Sequence, residues 1–336
     1  MTLNIDDKMR QLLRDTASMN QIVAYAAQDE IAKALTLPLR QGILPGDIYS
    51  DIFERVATNG NTTLEMPLDF VAPGTEGEFV AYTIPNHGSI AHKVVQGDYV
   101  QIPTYYIGAA IDMDKSYAED ARWDVMGRAL GDLRKQFTKK LNDDAWHTLL
   151  SAGFDRNIVV ADTDAAQGQF TTRLVSLLKT VMTRNGGGNS SSVNRFSLTD
   201  LYVSVEAMED MRSWNVDQID ETTRREIFTA PDGLINRIFS VNLHSLVELG
   251  EGQEYQLFWT STLGATMPTT GAHTDVEIVV GLDKNAGHSS FLMPVKKELE
   301  IAPDNTLGRH RKVGWYGETS VGFAALDSRK ILIGSL

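Results

Sequence analysis

The sequence predicts an α+β protein. Three observations carry that expectation: a β-rich ribbon, a very long amphipathic helix directly after it, and strands gathered at the C-terminal end. Strands that alternated regularly with helices would instead give a doubly wound parallel sheet.

The first element is helical. Met9, Leu12, Leu13, Ile22, Val23, Ala26, Ile31 and Leu35 recur at three- and four-residue spacing, which predicts one helix over 7–35. Pro38 is expected to stop it. An apolar stripe on a terminal helix must lie on something. Its own domain and a neighbouring chain fit the periodicity equally.

Residues 59–61 break the chain, and the ribbon follows. The runs 78–84 and 99–111 are rich in Val, Ile, Tyr and Phe. Pro85, Asn86, His87 and Gly88 form a polar tip between them. The second run would span about 43 Å at 3.3 Å per residue, longer than most strands of a compact domain. An isolated two-stranded ribbon is marginal in water, so this one needs a surface to lie on.

Ser116-Tyr117-Ala118-Glu119 has the form of a capping box, with Ser116 as N-cap and Glu119 at N3. Met126, Leu130, Leu133, Phe137, Leu141, Ala145 and Leu149 then repeat at three or four, and Gly153 fits a C-terminal stop. A helix over 117–152 would be about 54 Å long. From residue 169 the texture is ordinary α/β. A helix over 170–184 runs into the Gly/Ser-rich loop 185–192, followed by a strand at 201–205 and a short helix at 206–214. Further strands are expected in 236–249, 276–283, 289–303, 313–327 and 330–336.

Composition narrows the chemistry. The 336 residues, 42% of them hydrophobic, suffice for two or more compact units. There is no cysteine, which excludes disulfides, thiol nucleophiles and Cys-based zinc sites. The longest mainly apolar runs, such as Phe291 to Val295, fall far short of the roughly 20 residues that span a bilayer. The N-terminus has no basic start followed by an apolar block, so no secretory leader is expected. Net charge is −13, from 31 basic and 44 acidic residues. A protein that grips nucleic acid by its phosphates is usually basic. The two small clusters here, 134–140 and 309–312, read as solvated or interfacial charge.

Enzyme signatures are missing. There is neither a Gly-rich phosphate loop followed by Lys and Ser or Thr, nor GxGxxG, nor GxSxG. No two of the seven histidines stand four apart as a helical zinc pair would. His87 and His92 flank the ribbon tip, and His147 is expected to pair with Asp143 or Asp144 on the long helix. The acidic run from Asp112 to Asp124 surrounds a helix start, where the dipole favours negative charge. The expectation is no catalytic residue, no cofactor and no metal.

The order of elements and the wording of several segments resemble the major capsid proteins of tailed bacteriophages, the Hong Kong 97-type fold. "PLRQGILPGDIYSDIFERV" resembles the arm and its junction, and the ribbon the extended loop. "RWDVMGRALGDLRKQFTKKLNDDAWHTLLSAG" resembles the spine helix. "DLYVSVEAMEDMRSW" and the stretch from Arg225 are similar to the axial domain, and the stretch from Ser290 to the end to the returning peripheral strands. The resemblance implies an arm and junction at 1–60, an extended β-hairpin loop at 61–114, and a spine helix with peripheral domain at 115–164. It further implies an axial domain at 165–290 and peripheral strands at 291–336.

In function the resemblance implies a non-catalytic shell protein. It would assemble with itself into pentamers and hexamers, with ribbon and arm on neighbouring copies. The shell would be an icosahedral virion capsid, assembled in the host cytoplasm and enclosing double-stranded DNA without sequence-specific binding or a membrane. Portal, scaffold (on a separate chain, if present) and decoration proteins would be its partners. The same fold also serves nanocompartments that enclose a protein cargo. A soluble acidic enzyme with its site in 165–290 is the reading from another class. Some members of the family link a ribbon Lys to a neighbour's Asn beside a buried Glu; Lys93, Asn305 and Glu318 match in type and rough place.

Overall fold

The structure is a computed structural model. It describes residues 7–18, 20–43, 48–58, 63–68, 98–120, 123–165, 168–185, 196–214, 237–265, 277–284 and 290–336. In chain order the elements begin with α1 (Asp7–Thr16), α2 (Gln21–Ile43), α3 (Ile48–Ile52), β1 (Glu54–Ala57) and β2 (Leu64–Leu68). Next come β3 (Asp98–Ile102), β4 (Tyr105–Asp114), α4 (Lys115–Glu119), α5 (Trp123–Asp155), β5 (Val159–Ala161) and α6 (Thr172–Asn185). Then follow β6 (Asp200–Val203), α7 (Val205–Ser213), β7 (Arg237–Ile238), β8 (Val241–Ser245) and β9 (Ile278–Leu282). The chain closes with β10 (Phe291–Pro303), β11 (Lys312–Val321), β12 (Ala324–Ala325) and β13 (Ile331–Ser335). Most of the predicted ribbon, including Lys93, and the Gly/Ser loop after Asn185 lie outside the described residues.

The chain divides into two compact units. The first takes Met1–Leu64, Ile102–Trp146 and Phe291–Ala324; the second takes Glu65–Gln101, His147–Ser290 and Ala325–Leu336.

The first unit is built on a sheet ordered β1-β10-β11-β4, with β12 also paired to β10. β4 and β11 are antiparallel over ten consecutive pairs, from Lys312↔Asp114 to Val321↔Tyr105, without a register shift. Alternation puts Ile107, Ala109, Ile111 and Met113 on one face beside Thr319, Gly317, Trp315 and Val313. That face carries the core, and α5 lies on it. Phe137 of α5 is 1% exposed. A Cβ on Gly317 would meet the Phe137 ring at 3.4 Å, so a glycine here lets helix and sheet close together. α2 packs on β10, and the Trp315 indole donates to the Gln28 carbonyl at 3.2 Å.

The predicted single arm helix is two helices. Thr16 turns its hydroxyl back to the Leu13 carbonyl at 2.7 Å and closes α1. Asn20 then caps α2, its side chain accepting from the Ile22 amide at 3.1 Å. Pro38 does not end α2, which runs on to Ile43. Leu13, Ile31, Ala32 and Leu35 are buried, so the arm packs one stripe at home.

The predicted strand 99–111 is two strands. Pro103 lacks an amide hydrogen and separates β3 from β4. β3 pairs with β2 in a two-stranded sheet at the base of the expected ribbon. The capping box does not form. Ser116 sits inside the five-residue α4, whose N-cap is Asp114 with no side-chain cap bond, and the long helix starts anew at Trp123. With 33 residues, α5 is about 50 Å long. Gly153 does not stop it. Gly153 is buried, and a Cβ there would meet Ile333 of β13 at 3.1 Å, so the glycine serves close packing. The chain turns instead at Asn157 (φ 50°), whose amide donates to the Phe154 carbonyl at 2.8 Å.

The second unit holds a six-stranded sheet ordered β5-β13-β9-β6-β8-β7. β5 and β13 are parallel, as are β6 and β8; the pairs of β9 with β13 and β6, and of β7 with β8, are antiparallel. Leu201, Val203, Val241, Leu243 and Val279 meet Leu174, Val175 and Leu178 of α6 and Ala207, Met208 and Met211 of α7 in one core. Ser204 caps α7, accepting from the Ala207 amide at 2.9 Å. The β7–β8 hairpin turns at Phe239 and Ser240, both at positive φ (46° and 69°), the geometry a two-residue primed turn requires.

Gly322, just past β11, tests the joint with residue 103. A Cβ there would stand 2.3 Å from the Pro103 carbonyl oxygen. Gly322→Ala is expected to lower the stability of the subunit by about 1–3 kcal/mol, read as a shift in urea midpoint at unchanged m value.

Candidate assembly surface

Among the described residues, exposed large apolar side chains in the first unit fall at two places. Ile22, Val23 and Tyr25 are 81%, 41% and 51% exposed on α2. Tyr105 and Tyr106 on β4 and Tyr316 on β11 are also exposed. Tyr106, Gly108, Ala110 and Asp112 point to the sheet face away from α5, beside Tyr316 and Glu318. Among the described residues β4 is also an edge strand. There its ten residues pair on one side only, with no lysine, proline or bulge from Tyr105 to Asp114, though Asp112 and Asp114 put charge at one end. Natural edges usually carry such guards. Strand, face and aromatic groups together make a surface suited to another protein chain.

Polar groups on the sheet are largely spent on each other. Lys297 of β10 pairs with Glu318 of β11 and, at 3.4 Å, with Glu300. Glu318, the candidate for promoting a covalent link, is thus 39% exposed and ion-paired. It lacks the dry setting such a link would need. Asn305 opens a 3₁₀ turn after β10. His147 does not take the expected helical partner as its main contact: its ring stacks on Phe258, with centroids 4.0 Å apart. Asp144 instead accepts from Tyr105 at 2.8 Å and Lys140 at 2.7 Å. Burial and that hydrogen bond push the Tyr105 hydroxyl well above its ordinary range.

A cavity of about 250 Å³ opens in the first unit among Phe53, Phe137, Leu141, Leu299 and Val321, with an Arg55–Glu298 ion pair at its rim. Its walls are apolar and bring no converging catalytic groups together. Among the described residues no group of three or more His, Asp or Glu could hold a metal ion. No described helix is long and apolar enough to cross a membrane.

The second unit contains a polar cluster that spacing in sequence does not reveal. Asp200 is 4% exposed. One of its oxygens lies 2.8 Å from His244 Nε2 and 3.0 Å from Lys284 Nζ. Tyr202 stacks on His244 with centroids 4.6 Å apart, and its hydroxyl is 3.4 Å from Lys284 Nζ. These residues come from β6, β8 and the exit of β9, so only strand pairing unites them. Burial alone would raise the Asp200 pKa. Hydrogen bonds from His244, Thr199 and Lys284, with the charge of Lys284, outweigh it and bring the group down to about 2. Nearby, Glu277 accepts from Ser204. Burial pushes its carboxyl up, and Glu206, Asp210 and Glu251 add to that, while the Ser204 bond opposes it. Asp200 ties neighbouring strands together, and Glu277 holds the Ser204 helix cap.

Comparison of the sequence with known families and with curated proteins finds no match. Solved structures do match. The capsid asymmetric unit of cyanophage Pam1 is similar at TM-score 0.56 and 13% identity, covering 85% of this chain and 88% of that one. A structure from Microbacterium phage Oxtober96 gives TM-score 0.55 at 10% identity, over 87% and 91%. One from Gordonia phage Cozz gives 0.52 at 9%, over 86% of each chain. The chain has the fold of tailed-phage major capsid proteins.

Two pH effects follow for this capsid-fold subunit. Asp200 titrates at about 2 when folded and 3.8 otherwise, so its contribution is fully present above pH 3.8 and is lost as pH falls through 2. The shift corresponds to about 2 kcal/mol. Asp200→Asn should remove about that much at pH 7 and flatten the acid limb of a urea-midpoint profile. Glu277 has the opposite sign: its charge costs stability at neutral pH, and the cost fades as pH falls through its raised pKa. Glu277→Gln keeps an acceptor for Ser204. It should therefore raise the midpoint at pH 7, with the gain vanishing in acid.

Proposed function

We propose that the chain is the major capsid protein of a tailed bacteriophage. It assembles into pentamers and hexamers of an icosahedral head that encloses double-stranded DNA. The observation that carries this reading is the fold match to phage capsid structures over 85% or more of the chain. The open β4 edge and the apolar patch on α2, both among the described residues, support a structural role. On this reading the two units are the peripheral and axial domains, the arm is 1–60, and the ribbon of 61–114 lies over an adjacent copy. That placement covers unpaired strand edges that a lone ribbon would leave to water. Repetition of the contact in closed symmetry lets individually weak interfaces hold a shell.

Electron microscopy of the expressed protein, alone and with the proteins encoded beside it, tests the reading. Closed shells are expected, with long duplex DNA extracted from mature particles. An enriched enzyme in place of DNA would reassign the shell as a nanocompartment. A protein that stays monomeric or dimeric in every condition would end both shell readings. Deletion of residues 86–95 should leave a folded subunit, by circular dichroism, that no longer closes into shells; normal shells would remove the role given to the ribbon.

A further inference from the structure

Charge on the first unit is sorted by face. Between residues 127 and 140, α5 carries Arg128, Arg134, Lys135, Lys139 and Lys140 together with Asp132, a net of +4 in a chain of −13; Asp143 and Asp144 follow one turn on, and Asp144 pairs with Lys140 at 2.7 Å. The six charged side chains from Arg128 to Lys140 are exposed. Helical spacing sets Arg128, Lys135 and Lys139 in one stripe opposite Leu133, Phe137 and Leu141, which are buried on the sheet. Asp132 is 3.7 Å from Lys135, with both side chains at least 70% exposed; solvent and salt screen such a pair strongly. The other face of the sheet leans the opposite way, with Asp112, Asp114, Glu300 and Glu318 against Lys297 and Lys312.

Gly127 and Gly131 border the stripe. A Cβ at either would meet nothing within 4 Å, so the described fold gives no packing reason for them. Each weakens a helix interior by roughly 0.5–1 kcal/mol relative to alanine. They keep the rim low, which lets a partner's backbone come close to the basic groups.

We propose that this outward face of α5 is the part of the shell that lies against the enclosed duplex DNA. The assignment rests on the shell reading above and goes beyond it by naming the surface. From residue 128 to 139 the stripe is about 17 Å long, and duplex DNA offers about one phosphate charge per 1.7 Å. Arginine and lysine on phosphate carry no sequence information, as packaging of a whole genome requires. Few contacts per copy keep each site weak, and many copies sum them. Acidic charge over the rest of the chain works against non-specific capture of nucleic acid by free subunits.

The test uses DNA-filled particles. A photoreactive phenylalanine derivative replaces Lys135 in one preparation and Tyr316, on the opposite sheet face, in another. Irradiation should attach DNA at position 135 and not at 316. Protein–protein adducts at 135, which would make the stripe an interface between copies or with a scaffold, overturn the proposal, as does equal DNA labelling at both positions. The triple variant R128E/K135E/K139E adds a second reading. It should still form closed shells of normal diameter but release DNA at lower temperature than wild type. Unchanged release overturns the assignment while leaving the shell intact. Absence of shells in the wild-type protein is the separate failure of the shell reading itself.

Discussion

The first unit depends on one close approach, that of Phe137 on α5 to Gly317 on β11. The ring is almost fully buried, and a Cβ on Gly317 would sit at 3.4 Å from it and from Leu299. This contact sets the distance between the long helix and the middle of the sheet. From that seat, Leu133 and Leu141 reach the same face on either side, each about one turn away. Among the described residues the opposite face of the helix, with Arg128, Lys135 and Lys139, is exposed, and so is Tyr316 on the far face of the sheet. A stiff helix with one committed side can carry a surface without bending to it.

The arm changes the weight of one argument. An arm unable to satisfy itself at home would be evidence for a neighbour. α2 does satisfy one stripe: Ile31, Ala32 and Leu35 are buried, and Gln28 accepts from Trp315. What remains for a neighbour is the exposed Ile22, Val23 and Tyr25 near its start. The case for assembly therefore rests on the fold, on that patch and on the open β4 edge. Among the described residues β4 is paired on one side only, which leaves a row of backbone groups on the other that need water or a strand.

The overall class and the long helix were legible in the sequence because both arise from hydrophobic periodicity sustained over many residues. Boundaries were less so, and each miss has a local cause. Ser116 and Glu119 satisfied the capping pattern, but β4 runs straight to Asp114 and the turn there is too short to feed α5. Gly153 looked like a terminator, yet its missing Cβ is used against Ile333. Asn20 was the readable signal for the break in the arm, hidden by an apolar spacing that continues across it. The Asp200, His244 and Lys284 cluster could not be seen at all. Its members are 44 and 84 residues from the aspartate, and they meet only because β6 lies between β8 and β9.

That cluster also shows why titratable residues here need not imply chemistry. A catalytic carboxylate is useful when its charge or proton is available to a substrate. Asp200 is buried and its charge is already shared by His244, Lys284 and Thr199. The arrangement joins three neighbouring strands through one oxygen atom and its surroundings, and it resists shear along them. Ser204 plays a similar double part, holding the first turn of α7 with one bond and Glu277 with another. Polar groups that staple strands and caps in this way trade reactivity for rigidity. A subunit that must present the same edge and the same faces many times over gains more from that rigidity than from any pocket.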